Sequence, residues 1–271
     1  MIEVESTPVS ASEAERVNRR FAGVGAALGL LVWYHLFRIP GLASSLVISR
    51  SHPRLGAFLG FLGFLLVVPG AIWVAKSVWG DQWRKALPMA KVGPPVLIWT
   101  VLCALAFLLV EFAWFEMMAR TVRLPNIESP IPQIGFLGIL LGAPIAEEVL
   151  FRGYGLARIR ELGGERRALL FTAIVFASAH VHWIKFPGTF VLGYFLGWLV
   201  LHTGSLWPAF LGHFTINATV AILSLLAPNQ TVDPKASWTL ILAMGATGMG
   251  GLALLWVPRI RRRIRELAAS L

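Results

Sequence analysis

The sequence predicts an all-α fold, a polytopic membrane bundle of about eight transmembrane helices. Of its 271 residues, 56% are hydrophobic and only 14% are charged, whereas an ordinary globular domain has about 25% charged residues. The apolar residues form separate stretches about as long as the 17–25 residues that a helix needs to cross a bilayer. These stretches lack the alternation typical of a membrane β-barrel, so we expect each of them to be a helix.

Three parts follow one another along the chain. The polar segment 1–20 is predicted to be a short cytoplasmic tail, since a signal peptide would place an apolar core directly after a basic start. A membrane domain, 21–258, comes next, and a basic cytoplasmic tail, 259–271, ends the chain. The Pro187-Gly188 pair divides one long apolar run into two spans. The spans are expected at 22–38, 56–78, 95–117, 131–152, 167–184, 186–203, 205–227 and 237–257.

Lys and Arg residues predict the orientation of these spans. With the N-terminus inside, the segments on the inner side hold more than twice as many Lys and Arg residues as those on the outer side. We therefore expect a multi-pass plasma-membrane protein with both termini in the cytoplasm. The net charge of +10 does not predict a nucleic-acid partner. The basic residues lie between apolar stretches and in the C-terminal tail, where anionic lipids of the bilayer attract them.

The stretch 95–117 contains two residues that need an explanation. Cys103 is the only cysteine, so an internal disulfide is excluded, and we expect a packed thiol. Glu111 is an isolated acid in an apolar helix. It either serves a proton relay or pairs with a polar group nearby, and we favour the pairing.

The first polar cluster, at the end of the stretch 131–152, contains two adjacent acids and one arginine. Ionisable residues within membrane helices are costly and are functional candidates by default. Glu148 and Arg152 are four residues apart, so they share a helix face and can form a pair. Glu147 points about 100° away from Glu148 and faces a different neighbour. An acid without a charged partner in an apolar site is suited to act as a general base. The alternative is a charge cluster at the cytoplasmic edge of the membrane.

Two further clusters place histidine in apolar stretches. His180 is predicted to lie about 20 Å into its helix, with Phe176 one turn earlier against the imidazole. His213 and Asn217 are four residues apart in the span 205–227, so they share one face of that helix. Both side chains can donate hydrogen bonds, so together they are candidates for an oxyanion hole. Each cluster alone is equally typical of hydrogen bonds between membrane helices.

Considered together, the three clusters predict hydrolysis of an amide by water. A base, a histidine partner and an anion stabiliser on three helices are the groups that this reaction requires. A serine nucleophile has less support, because no Gly-x-Ser-x-Gly sequence surrounds a serine. Glu147, His180 and His213 are also suitable ligands for Zn or another divalent metal. The sequence leaves open whether water is held by such a metal or by Glu147 and His180 alone.

The depth of the clusters tests this interpretation. If the helix that carries Glu147 ended at Arg152, Glu147 would lie nearer to the cytoplasmic edge than the two histidines. We therefore expect this helix to continue to Arg160 and to end at Gly163-Gly164. The candidate site would then open toward the cytoplasm.

The three clusters resemble the motifs of the CPBP family, the CaaX proteases and bacteriocin-processing enzymes, also called Abi. The resemblance covers 131–227. It rests on three motifs in the family's order, Glu147-Glu148-x-x-x-Arg152, Phe176-x-x-x-His180 and His213-x-x-x-Asn217.

The resemblance implies an intramembrane endopeptidase that cleaves a peptide or protein substrate near the cytoplasmic face. By analogy, Glu147 activates the water with the help of His180, and His213 and Asn217 stabilise the oxyanion. Glu148 and Arg152 would hold the first motif in place. Members are often called metalloproteases, although a glutamate-activated water without a tightly bound metal has also been proposed.

Two other classes of function use the same residues differently. A non-catalytic membrane scaffold or immunity protein would need them only as contacts between helices. A proton-coupled transporter would use them as a relay. We consider transport less favoured, because the sequence shows neither an inverted repeat nor a matched pair of broken helices.

Overall fold

The computed structural model describes residues 25–26, 28–36, 39, 43, 47–48, 51–122, 136–180, 183–226, 238–255, 262 and 266. Within these residues the chain is almost entirely helical, and an isolated bridge between Met89 and Ser205 is the only β-pairing. The predicted all-α class is thereby confirmed. The predicted tails, 1–20 and 259–271, lie outside the described residues apart from 262 and 266.

The helices are numbered α1 to α9 in chain order. They are α1 (28–36), α2 (Pro53–Leu65), α3 (Val67–Trp79), α4 (Pro94–Thr121), α5 (138–163), α6 (Glu165–Ala179), α7 (Phe186–Thr203), α8 (Trp207–Leu226) and α9 (Trp238–Leu255). A 3₁₀ segment, Gly80–Ala86, continues α3.

Four of the described helical runs are long and apolar enough to cross a membrane. They are Pro53–Ala86, α4, α7 and α8, and α9 is a shorter apolar helix. The sequence predicts eight spans. The structure shows why α1, α5 and α6 do not meet the same criterion of length and apolar composition. Helix α1 is described only in part, α5 carries the charged motif, and α6 has only 15 residues. Several apolar helices support a multi-pass membrane protein.

Helix α5 combines two helix types in one continuous run. Its successive parts are a π segment Gly138–Gly142, an α segment Ala143–Glu147, a π segment Glu148–Gly155 and an α segment Leu156–Gly163. A Cβ on Gly153 would lie 2.4 Å from the Ala86 carbonyl oxygen, so glycine is needed for this close approach. The run ends at Gly164, whose φ of 81° favours glycine. The predicted continuation past Arg160 to a Gly163-Gly164 stop is confirmed.

Helix α6 ends earlier than the sequence predicts. The expected span 167–184 is wrong at its C-terminal end, because the helix stops at Ala179 and His180 lies just beyond it. The His180 ring Nδ1 donates to the Phe176 carbonyl oxygen at 2.9 Å, and the backbone N–H of His180 donates to Ala177 instead. The imidazole thus competes with its own backbone for the carbonyl that an α-helix would use. Helix α7 then begins with Pro187 in its first turn.

Two contacts bring three helix ends to one face of the bundle. The Trp79 indole N–H, at the end of α3, donates to Glu161 Oε1 near the end of α5 at 2.8 Å. The backbone N–H of Leu206, just before α8, donates to the Pro88 carbonyl oxygen at 2.8 Å. We call this surface the Gly164 face, formed by 80–93, 155–166 and 203–207.

The opposite face collects the other helix ends. The Trp114 indole N–H on α4 donates to the Ile184 carbonyl oxygen at 3.0 Å, just before α7. The Arg120 guanidinium, at the end of α4, lies 5.4 Å from the ring centre of Trp238 at the start of α9. The ends of α3 and α5 and the start of α8 thus lie on one face, and the end of α4 and the starts of α7 and α9 lie on the other.

The two conspicuous residues of α4 occupy different surroundings. Cys103 is 2% exposed, so the predicted packed thiol is confirmed. Glu111 faces the start of α7, where a Cβ on Gly188 would lie 3.0 Å from its Oε1, and Lys185 acts on it electrostatically. The pairing of Glu111 with a nearby polar group stays a prediction.

Candidate active site

The three motifs lie on α5, at the end of α6 and on α8, and the turn at Gly164 aligns the first two. Glu147 is 17 residues before Gly164 and His180 is 16 residues after it. In an antiparallel pair of helices these positions lie at nearly the same depth, roughly 22–25 Å from the turn. His213 reaches the same place from α8, where contacts with both acids of the first motif are observed.

Glu148 joins the first motif to the third. Its Oε1 accepts a hydrogen bond from Arg152 Nη1 at 3.0 Å and another from His213 Nδ1 at 2.7 Å. Glu148 is 0% exposed and Arg152 is 1% exposed. The predicted pair of Glu148 and Arg152 is therefore confirmed as a fully buried ion pair. One carboxylate oxygen holds both the arginine and the histidine in place.

Glu147 faces a different neighbour, as the helix geometry predicts. The Tyr34 hydroxyl of α1 donates a hydrogen bond to Glu147 Oε1. The second oxygen, Oε2, lies 3.9 Å from His213 Nε2, and both side chains are almost fully buried. Sequence reasoning missed Tyr34. A phenol within the apolar stretch 22–38 signals that its hydroxyl needs a partner, but the sequence does not show which residue supplies it.

Phe176 is the centre of the aromatic packing at this site. Its ring meets the His180 imidazole edge to face, with centroids 4.8 Å apart, and meets the His213 imidazole at 5.9 Å. The predicted contact between Phe176 and His180 is confirmed. The Arg152 guanidinium carbon lies 3.9 Å from the centre of the same ring, a cation–π contact. Gly193 of α7 supports the ring from behind, since a Cβ there would lie 3.2 Å from Phe176 Cδ1.

Hydrogen bonds select the ring nitrogens that the histidines present. A carbonyl oxygen can only accept, so His180 donates from Nδ1 to Phe176, and its neutral form presents Nε2 as an acceptor. Neutral His213 does the same when Nδ1 donates to Glu148. Metal-binding histidines have this arrangement. However, no group of three or more His, Cys, Asp or Glu among the described residues is placed to hold a metal ion. The Zn or other divalent metal at Glu147, His180 and His213 stays a prediction.

Asn217 binds a backbone carbonyl in this structure. Its Nδ2 donates to the Ile139 oxygen at 2.9 Å. The π segment explains why this oxygen needs a donor, because its partner five residues later would be Pro144, which has no N–H. Asn217 and His213 are thus both hydrogen-bonded to α5, and one amide hydrogen of Asn217 remains for another acceptor. Their convergence on one oxyanion stays a prediction.

Comparison with known proteins identifies one family. Residues 129–219 match the family model described as Type II CAAX prenyl endopeptidase Rce1-like. This third of the chain contains all three motifs, and the predicted resemblance over 131–227 is confirmed. At the level of the family, the match supports a CAAX-protease-like endopeptidase within the membrane. No curated protein and no solved structure matches the chain.

Proposed function

We propose that this chain is an intramembrane endopeptidase that hydrolyses a peptide bond with water activated by Glu147. The observation that supports the proposal is that residues of the three motifs pack together around the buried acids of the first. Glu147 is 3% exposed, a partner from α1 binds one of its oxygens, and His213 lies close to the other. The match of 129–219 to a peptidase family supports the same class of reaction.

In the proposed reaction, Glu147 takes a proton from water as the water oxygen attacks the scissile carbonyl carbon. His180 assists by accepting a second hydrogen bond from this water at Nε2. The proton on Glu147 then passes to the amine nitrogen as the carbon–nitrogen bond breaks, and the tetrahedral intermediate collapses to the carboxylic acid and the free amine.

Stabilisation of the oxyanion is assigned to His213 and Asn217. Nε2 of His213 can donate to the oxyanion only when both ring nitrogens carry a proton, while Nδ1 keeps its hydrogen bond to Glu148. The 3.9 Å between Glu147 Oε2 and His213 Nε2 is longer than a direct hydrogen bond. Substrate atoms bound beside the base would therefore be within reach of the donor. The second amide hydrogen of Asn217 supplies the other hydrogen bond.

The Gly164 face is proposed to be cytoplasmic, in the plasma membrane and with both termini on this side. A peptide or protein substrate is proposed to reach the site from this face. The rule that places basic residues inside supports this orientation.

Labelling of introduced cysteines tests the orientation. Met89→Cys lies on the Gly164 face and Val122→Cys on the opposite face, and both positions are exposed. We expect a membrane-impermeant maleimide to label Val122→Cys in intact cells and Met89→Cys only after lysis. The unmodified chain is the control, since its buried Cys103 should stay unlabelled. The reverse pattern would place the candidate site on the outer side.

Comparison of peptide termini tests the proposed function without a known substrate. Membranes that express the unmodified chain are compared with membranes that express Glu147→Ala at the same protein level. We expect a set of new termini that the unmodified chain produces and Glu147→Ala does not. Glu165→Ala, an exposed acid at the start of α6, is the control and should retain the termini. Identical termini in all three membranes would favour a non-catalytic scaffold or immunity protein.

A further inference from the structure

We propose that Tyr34 is a positioning residue for Glu147, and that α1 thereby completes the candidate active site from outside 129–219. This inference rests on the proposed function, because Tyr34 affects catalysis only through Glu147, the carboxylate that is proposed to activate water. The contact itself is a property of the structure. The Tyr34 hydroxyl donates to Glu147 Oε1 across 113 positions of the sequence.

The surroundings of the Tyr34 ring fix the position of its hydroxyl. Tyr34 is 1% exposed, and its ring lies 5.4 Å from that of Phe151 on α5. Phe151 in turn packs edge to face on Phe176, with centroids 5.5 Å apart. The phenol is therefore held by the same aromatic group that orients His180 and His213. A buried tyrosine hydroxyl usually has a hydrogen-bond partner, and here the partner is the proposed base.

The hydrogen bond determines which carboxylate oxygen faces the substrate side. The last torsion of a glutamate side chain is broad and nearly two-fold, so an unrestrained carboxylate rotates easily. A donor at Oε1 keeps Oε2 directed toward His213 Nε2, 3.9 Å away. Hydrogen bonds to an ionised carboxylate are stronger than those between neutral groups.

Removal of the single oxygen tests this role. Tyr34→Phe keeps the ring and its contacts but deletes the donor. We expect kcat to fall about 10- to 100-fold, the range for loss of a hydrogen bond to a charged group, with KM unchanged. The substrate probe is an internally quenched peptide in which a farnesylated cysteine is followed by the last three residues. The enzyme is the full chain in proteoliposomes. Unchanged kcat, or a rise in KM alone, would overturn the inference.

Tyr154→Phe is the matched control. Tyr154 lies on the same helix as Glu147, is half-buried, and packs its ring on Trp79 at 5.6 Å. The same hydroxyl is removed there without a change at Glu147. We expect kcat within twofold of the unmodified chain. An equal loss in both variants would show that the effect of Tyr34→Phe is not specific to the base.

A stability cycle separates this inference from the proposed function. Tyr34→Phe is expected to lower Tm by about 3–8 °C in the unmodified chain. In a Glu147→Ala background, where the acceptor is already missing, the same change should have almost no effect. An equal fall in Tm in both backgrounds would contradict a hydrogen bond between Tyr34 and Glu147. If the unmodified chain cleaves no peptide, the proposed function fails, and the cycle still decides whether Tyr34 holds Glu147.

Discussion

Glu147→Gln is expected to lower the rate of peptide hydrolysis by about 10²- to 10⁴-fold, the contribution of a positioned general base. Glutamine has the shape of glutamate, and its carbonyl oxygen still accepts the hydrogen bond from Tyr34. It cannot take a proton from water. The substitution therefore removes the chemistry and leaves the packing of α1 and α5 in place. The rate is measured with the farnesylated, internally quenched peptide and with its unprenylated counterpart.

Two controls make this result specific. Glu165→Gln changes an exposed acid whose partner is Arg160 at the surface, and it should leave the rate unchanged. Thermal unfolding of Glu147→Gln should resemble that of the unmodified chain, because no buried charge is left without a partner. A rate within tenfold of the unmodified chain would contradict the assignment of Glu147 as the base. Loss of activity in parallel with loss of stability would favour a structural role, as expected for a scaffold.

The sequence predicts those parts of the site that depend on spacing within one helix. Glu148 and Arg152 pair because residues four apart share a face, and Phe176 packs on His180 for the same reason. The stop at Gly163-Gly164 follows from the conformational freedom of glycine. Each of these relations is local, so the sequence alone contains the information needed.

Relations between helices could not be predicted in the same way. Tyr34 reaches Glu147 across 113 positions, and nothing in the apolar stretch 22–38 identifies its partner. The role of Asn217 toward α5 depends on a π segment at Ile139. Such contacts require the arrangement of the whole bundle.

The early end of α6 was missed for a third reason. Hydropathy continues past Ala179, so a pattern of apolar residues predicts a longer helix. At this end of the helix the His180 imidazole donates from Nδ1 to the Phe176 carbonyl oxygen, a contact that hydropathy does not reveal. The same bond selects the ring nitrogen that the proposed mechanism uses.

The second large effect is expected in stability. Arg152→Met removes a cation that is 1% exposed and leaves the Glu148 carboxylate, 0% exposed, without its charged partner. Breaking one side of a buried ion pair typically costs about 3–5 kcal/mol. The free energy of unfolding, measured by denaturant titration in detergent, should fall by this amount. Arg160→Met breaks only a surface pair and is expected to cost at most about 1 kcal/mol.

The double substitution Glu148→Leu with Arg152→Met separates stability from positioning. It removes both buried charges, and replacement of a buried pair by apolar residues is often neutral. We therefore expect much of the lost stability to return. Activity should not return, because His213 Nδ1 loses the acceptor that orients its ring toward Glu147. Recovery of both properties would contradict a role for Glu148 in the site, whereas recovery of stability alone is the expected result for a carboxylate that positions the histidine.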